Sequence, residues 1–152
     1  MNEKIIQFGT GNFLRGFADQ FIDELNKKDL FDGSIVIVSP TDSKNTDKIN
    51  AQHGKYHLIL RGIDGGKEVY ETKRIDSVSR VVNPYRDFSG FLALAKDPDL
   101  RYIISNTTES GIAFDDSCAF SDSPASSFPG KLTQFLFERY KNKINGFIIL
   151  AC

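Results

Sequence analysis

Three short stretches of this chain are apolar almost without interruption: Ser34-Ile35-Val36-Ile37-Val38, Arg101-Tyr102-Ile103-Ile104-Ser105 and Gly146-Phe147-Ile148-Ile149-Leu150-Ala151. A strand with one wet face alternates apolar and polar residues, whereas a run without alternation suits a strand buried on both faces, as in a parallel sheet. Lys4-Ile5-Ile6-Gln7-Phe8 reads as a further strand, stopped by Gly9 and Gly11. Between it and the run at Ser34, the apolar positions Phe13, Leu14, Phe17, Ala18, Phe21, Ile22 and Leu25 fall on one side of a helix. Arg15, Asp19, Gln20, Asp23 and Glu24 fall opposite, so the spacing predicts a single amphipathic helix with a Phe-rich inner face. Arg15 and Asp19, four apart, read as an ion pair on its outer face.

The rest of the chain extends this pattern. Ser43 to Gln52 is polar and reads as either a short helix or an ordered loop. Tyr56 to Arg61 and Glu68 to Ile75 are strand-like and flank Asp64-Gly65-Gly66, a hairpin turn. Asn83-Pro84 reads as a cap with a first-turn proline ahead of a helix marked by Phe88, Phe91, Leu92 and Ala95. Asp115 to Ser127 is a Ser-, Asp- and Pro-rich loop, and Pro129 opens a helix with Leu132, Phe135, Leu136 and Tyr140 on one face. Strands alternating with amphipathic helices define an α/β fold, and right-handed crossovers make it doubly wound. The last apolar strand ends with the chain, at Cys152, where a parallel strand needs a helix or a further domain to cover it. Residues 1–152 are therefore expected to be one domain, the N-terminal part of a longer protein.

Composition closes off several functions. The 19 basic and 20 acidic residues nearly cancel, and no basic run provides the concentrated positive surface that nucleic acid requires. No apolar stretch approaches the ~20 residues that span a bilayer. The N-terminus does not lead into a signal peptide's apolar run. Cys118 and Cys152 have neither disulfide-framework nor metal-site spacing, which fits a reducing cytoplasm. His53 and His57 have no carboxylate or cysteine spaced to join them as metal ligands, so no metal is expected.

Chemistry concentrates at two loops. In Phe8-Gly9-Thr10-Gly11-Asn12-Phe13-Leu14, between the first strand and the first helix, Gly9 permits a tight turn and Gly11 lets a pyrophosphate approach the backbone. The amides opening the helix face the anion, favoured by the helix dipole. This is the phosphate loop of a Rossmann-type, mostly parallel sheet with a β-hairpin insertion, although Leu14 holds the place of the usual third glycine. A glycine-rich turn without a ligand is the plain alternative. At the end of the second strand, Thr41 and Asp42 stand where a ribose-binding acid is usual; Asp42 either meets the ribose hydroxyls or caps the segment that follows. No Arg stands there to hold a 2′-phosphate, although Lys44 is close, which leans to NAD over NADP. Asn106, Thr107, Thr108 and Glu109 follow the strand at Arg101, at the sheet edge where α/β folds bind ligands, and are expected near the nicotinamide. A capped turn is the alternative there.

The segment Gln7-Phe8-Gly9-Thr10-Gly11-Asn12-Phe13-Leu14-Arg15-Gly16-Phe17 resembles the N-terminus of the mannitol dehydrogenase family of polyol-specific long-chain dehydrogenases. Ser105 to Ile112, Phe128 to Thr133 and Leu136 to Arg139 are similar to that family's tagaturonate reductase branch, and Phe147 to Cys152 to the strand leading into its next domain. Leu14 in the third glycine place is in keeping with the family. The resemblance implies an N-terminal Rossmann domain and a C-terminal helical domain, NAD as cofactor without a metal, and interconversion of tagaturonate and altronate. The family's catalytic lysine, with its supporting Asn and His, belongs to the C-terminal part, so no catalytic residue is expected in this chain. The rival readings are a fructuronate reductase or mannitol dehydrogenase, or, in a different class, an NADH-sensing regulatory module. Absence of a DNA-binding helix pair counts against the sensor.

Overall fold

The first strand is the middle of the sheet. In a computed structural model describing residues 1–152, the elements in chain order are β1 (Glu3–Phe8), α1 (Asn12–Gly16), α2 (Ala18–Lys27), β2 (Ser34–Val38), α3 (Asn45–Ala51), β3 (Tyr56–Asp64), β4 (Lys67–Ile75), β5 (Val78–Val82), α4 (Phe88–Leu94), β6 (Tyr102–Ser105), α5 (Phe128–Lys141) and β7 (Ile148–Ala151). The five-stranded sheet has the order β5-β2-β1-β6-β7, and every pairing in it is parallel. Successive side chains of a strand point to opposite faces. Ile6, Phe8, Val36 and Val38 accordingly pack with Phe91, Leu94 and Phe135 of α4 and α5. Ile5, Ile35 and Ile37 pack with Leu14, Ala18 and Ile49 on the other side. Helices cover both faces, and the doubly wound α/β expectation holds.

β3 and β4 form a separate antiparallel hairpin, turned by Gly65 and Gly66 at φ of 55° and 79°. Two successive positive φ values are what a two-residue turn between twisted strands needs, and glycine reaches them without a side-chain clash. The polar segment after β2 resolves as the helix α3. No helix is long and apolar enough to cross a membrane.

Five local expectations change. The predicted single helix is broken at Phe17, whose φ of −119° and ψ of −75° separate α1 from α2. Its inner side is also rotated away from the phenylalanines. Phe13, Phe17 and Phe21 are exposed and lie ring against ring, with centroids 5.4 and 4.8 Å apart. Asp19 and Asp23 are buried instead. Both find partners on the chain returning from the hairpin: the Asp76 N–H donates to the Asp23 carboxylate at 2.8 Å, and the Ser77 hydroxyl to the Asp19 carbonyl at 2.8 Å. Those partners are distant in sequence, and periodicity cannot register them.

The second change is β5, which Ser79 and Arg80 hide from an apolar-run reading. These residues bond rather than pack: Ser79 donates to Glu3 and Arg80 pairs with Glu3 at 2.8 Å. Third, Asn83-Pro84 does not cap α4. Asp87 does, its side chain accepting from the Gly90 N–H at 2.8 Å. Ser127 caps α5 in the same way, with Pro129 in the first turn. Fourth, the inner face of α5 carries Arg139 rather than Tyr140, which is exposed. The Arg139 guanidinium donates to the carbonyls of Ala95, Asp97, Leu100 and Asn145, gathering chain ends that otherwise lack donors. β7, read as a buried strand, is an edge strand with Ile148, Ile149 and Leu150 about half exposed.

Candidate functional site

From β1 the chain winds one way through β2 to β5 and the other way through β6 to β7, so the sheet reverses between β1 and β6. The crevice at the carboxyl ends of such strands is where open α/β sheets take ligands. Gly9 lies at that point with φ of 129°, a value side-chain-bearing residues rarely adopt, and its N–H donates to the Val38 carbonyl at 3.1 Å. Gly11 differs in kind. Its φ of −69° and ψ of 160° suit any residue, and a Cβ built there meets no atom within 4 Å. Nothing in the fold itself calls for glycine at position 11, and the direction its side chain would take is open.

On the β6 side of the turn lies a cavity of about 460 Å³, lined by Gly9, Asn106, Thr107, Thr108, Ser110 and Ser127, among others. Phe8 and Phe128, edge to face at 5.3 Å, give it an apolar floor. The Asn106 amide donates to the Cys152 carbonyl at 3.1 Å, and the Thr108 and Ser110 hydroxyls lie 3.0 Å apart. The structure thus brings Asn106, Thr107 and Thr108 beside the glycine turn. Glu109 opens a 3₁₀ turn (Glu109–Ile112) and does not line the cavity.

On the β2 side, Thr10 lines a second cavity of about 220 Å³ with residues of α3. Asn12 accepts a hydrogen bond from Arg15, and Phe13 points outward. The Thr41 carbonyl accepts from the Ser39 hydroxyl at 2.7 Å, which shapes the turn after β2. Asp42 does not cap α3. Its carboxylate accepts from Arg86 and from Asn83, each at 2.9 Å, and the Arg86 guanidinium is the main cause holding its pKa below the usual carboxylate range. An Arg therefore does stand beside Asp42, contrary to the sequence reading. It arrives from the loop after β5, a strand the apolar pattern did not disclose.

Under the glycine turn lies a buried polar cluster. Gln7, fully buried in mid-strand, donates to the Gly9 carbonyl at 3.2 Å. Asp19 is also fully buried, and Arg15 makes no direct ion pair with it; instead the Arg15 guanidinium lies over the Tyr56 ring. The Tyr56 hydroxyl lies 2.7 Å from the Arg15 carbonyl and 2.9 Å from the Asp19 carboxyl. A phenol has one proton and cannot donate to both acceptors. The arrangement closes if Asp19 carries a proton and donates to Tyr56, which donates to Arg15. Burial accordingly raises the Asp19 pKa to about 7. Nothing in a single helical repeat marks Asp19 as buried, and only its pairing with the distant Tyr56 makes it so. No three His, Cys, Asp or Glu side chains converge as metal ligands.

This is the geometry of a Rossmann domain, with its glycine turn at the point where the strand order reverses. Residues 3–152 match the model of the mannitol dehydrogenase Rossmann domain, and the chain belongs to the mannitol dehydrogenase family. An altronate oxidoreductase of Phocaeicola vulgatus is 49% identical over 154 residues, covering 99% of this chain and 32% of that protein. An altronate oxidoreductase of Bacillus subtilis is 44% identical over 154 residues, with the same coverage. The ternary complex of Pseudomonas fluorescens mannitol 2-dehydrogenase with NAD and D-mannitol superposes with a TM-score of 0.84 at 21% identity, covering 100% of this chain and 34% of that one. D-Sorbitol dehydrogenase in substrate-free form gives 0.81 at 24% identity, with the same coverage. Family and fold agree with the expectations from sequence, and the chain spans about a third of the length of the curated relatives it matches.

Proposed function

We propose that residues 1–152 are the NAD(H)-binding domain of an oxidoreductase that interconverts tagaturonate and altronate by hydride transfer. The observation that carries this reading is Gly11, a glycine the protein's own packing does not need, in the turn that follows the central strand β1 where the strand order reverses. In this reading Gly9 and Gly11 let the pyrophosphate lie against the backbone, with Thr10, Asn12 and Phe13 forming the rest of the turn. Asn106, Thr107 and Thr108 hold the nicotinamide end through their polar groups, over the floor made by Phe8 and Phe128. Thr41 and Asp42 border the adenosine ribose. The bound dinucleotide supplies the hydride chemistry; the chain binds and orients it.

Reducing a ketone also needs a proton delivered to the developing alkoxide. No Lys or His lines the cavity on the β6 side, where the nicotinamide end is assigned. Lys131, buried near its rim, donates to the Ser126 carbonyl at 2.7 Å and sits 4.9 Å from the Tyr85 ring centroid. The proton donor is therefore assigned to residues outside this chain. The substrate class is supported by altronate oxidoreductases 44–49% identical across almost all of the chain. To test the reading, the chain is mixed with NADH and tagaturonate, NADH binding is followed by calorimetry and turnover by the absorbance of the reduced cofactor. Binding without turnover is expected. Turnover of about one per second or faster would place the proton donor within these residues, and absence of NADH binding would overturn the nucleotide reading.

A further inference from the structure

Five buried side-chain atoms of the chain have no hydrogen-bond partner, and three of them sit in one cluster beneath the glycine turn: Gln7 Oε1, Arg15 Nε and Asp19 Oδ1. Buried polar atoms are ordinarily satisfied, so a cluster of exceptions calls for a reason. The same cluster holds both flanks of the turn. Gln7 donates to the Gly9 carbonyl at 3.2 Å, and the Tyr56 hydroxyl reaches the Arg15 carbonyl, near the end of α1, at 2.7 Å. The phenol has one hydrogen, and the Asp19 carboxyl, 2.9 Å away, competes for it. With a proton on Asp19, the carboxyl donates to Tyr56 and the phenol hydrogen stays on the Arg15 carbonyl. Without that proton, the carboxylate takes the phenol hydrogen and the Arg15 carbonyl loses its donor. A negative charge then stands in a buried site beneath the turn.

The groups facing Asp19 are Gln7 of β1, Tyr56 of β3 and Arg15 of α1. Arg15 is the one cation among them, and its guanidinium lies over the Tyr56 ring without an ion pair to Asp19. The other charges on α2 and on the hairpin's returning strand are already paired: Asp23 with Lys27, Glu24 with Lys73 and Asp76 with Arg74. We propose that Asp19 and Tyr56 are positioning residues for the dinucleotide, and that binding at the glycine turn takes up a proton on Asp19. The inference rests on the nucleotide reading given above. A bound pyrophosphate adds negative charge at the turn, which favours the neutral acid below it. The neutral acid in turn keeps the Arg15 carbonyl bonded and the turn in place. Linkage is reciprocal, so the factor by which the cofactor strengthens proton binding is the factor by which the proton strengthens cofactor binding. Burial raises the Asp19 pKa to about 7, with Tyr56, Gln7 and Arg15 opposing, and the exchange therefore falls in the neutral range.

The test is calorimetry of NADH binding at about pH 6, 7.5 and 8.5, repeated in buffers of different ionisation enthalpy to count the protons taken up. The Kd of the unmodified chain is expected to rise at least about fivefold from the lowest pH to the highest, with a fraction of a proton taken up per NADH near pH 7.5. Asp19→Asn keeps a donor to Tyr56 and cannot ionise; it should bind with one affinity throughout and take up no proton. The double variant His53→Asn, His57→Gln removes both histidines, which are exposed, and should keep the uptake whether or not Asp19→Asn folds. A Kd independent of pH would overturn the inference and leave the nucleotide reading standing. Uptake that survives in Asp19→Asn, or vanishes with the histidines, would do the same. Failure of the unmodified chain to bind NADH at any of these pH values would remove the nucleotide reading and this inference together.

Discussion

The two faces of the sheet are built from different materials. Under α4 and α5 the core is centred on aromatic rings: Phe8, Phe91 and Phe135 meet one another, the last two stacked at 5.1 Å, with the buried polar side chains of α5 (Lys131, Gln134 and Arg139) at its border. Under α1 and α2 the aliphatic cluster is bordered by Gln7, Asp19 and Tyr56, while the phenylalanines of that helix pair face outward. One face is a packing solution. The other uses buried hydrogen bonds to fix the position of a turn, because Gln7 bonds Gly9 directly and Tyr56 bonds the carbonyl of Arg15 at the end of α1. A buried polar group has few alternative partners and so specifies one geometry, at a cost in stability if any member is left unsatisfied.

Substituting the same residue type on the two faces should separate these roles most widely. Phe135→Ala is expected to lower stability by about 4 kcal/mol in urea unfolding, since it opens a cavity in the aromatic core. Phe17→Ala, on the outward stripe, is expected to cost under ~1 kcal/mol. Comparable losses would mean that the stripe is part of a core and that the contrast between the faces is false.

A pH-dependent effect of comparable total size belongs to the polar face. The folded-state pKa of Asp19 is raised to about 7, chiefly by burial, with Tyr56, Gln7 and Arg15 opposing. A carboxyl raised above its unfolded value contributes stability that is fully present below about pH 4 and lost as pH climbs to 7. The chain should therefore lose up to ~1.4 kcal/mol per pH unit across that window relative to Asp19→Asn, and the difference should level off above it. The neutral amide keeps the shape of the protonated acid and cannot ionise. Parallel stability curves for the two proteins would show that Asp19 is charged when folded, and the one-proton closure between Asp19 and Tyr56 would fail.

What could be read in advance follows from how local each signal is. The hairpin turn at Gly65-Gly66, the doubly buried β2 and the glycine turn are specified by a few adjacent residues, and all three appear as expected. The inward rotation of Asp19 and Asp23 depends on Tyr56 and Asp76, residues at the two ends of the hairpin and distant in sequence, so helical spacing favours the phenylalanines instead. Arg86 was missed for a related reason. It meets Asp42 only because β5 lies beside β2, and β5 is disguised by Ser79 and Arg80. At the candidate site, Asn106, Thr107 and Thr108 reach the crevice because they directly follow a buried strand. Glu109, a single residue later, has already turned into the 3₁₀ segment and away from it.

Gly9 answers to the backbone conformation of the fold, whereas Gly11 is assigned to a bound dinucleotide, and Gly11→Val tests that assignment most directly. Valine is allowed at φ −69° and ψ 160°, and its Cβ meets nothing within 4 Å, so the domain should fold and melt as before. The added branch would occupy the space assigned to the pyrophosphate. Calorimetry should then show NADH binding to the unmodified chain and none to the variant, with the melting temperature of both unchanged. Equal NADH affinity for the two proteins would contradict the account and return the turn to a purely structural role.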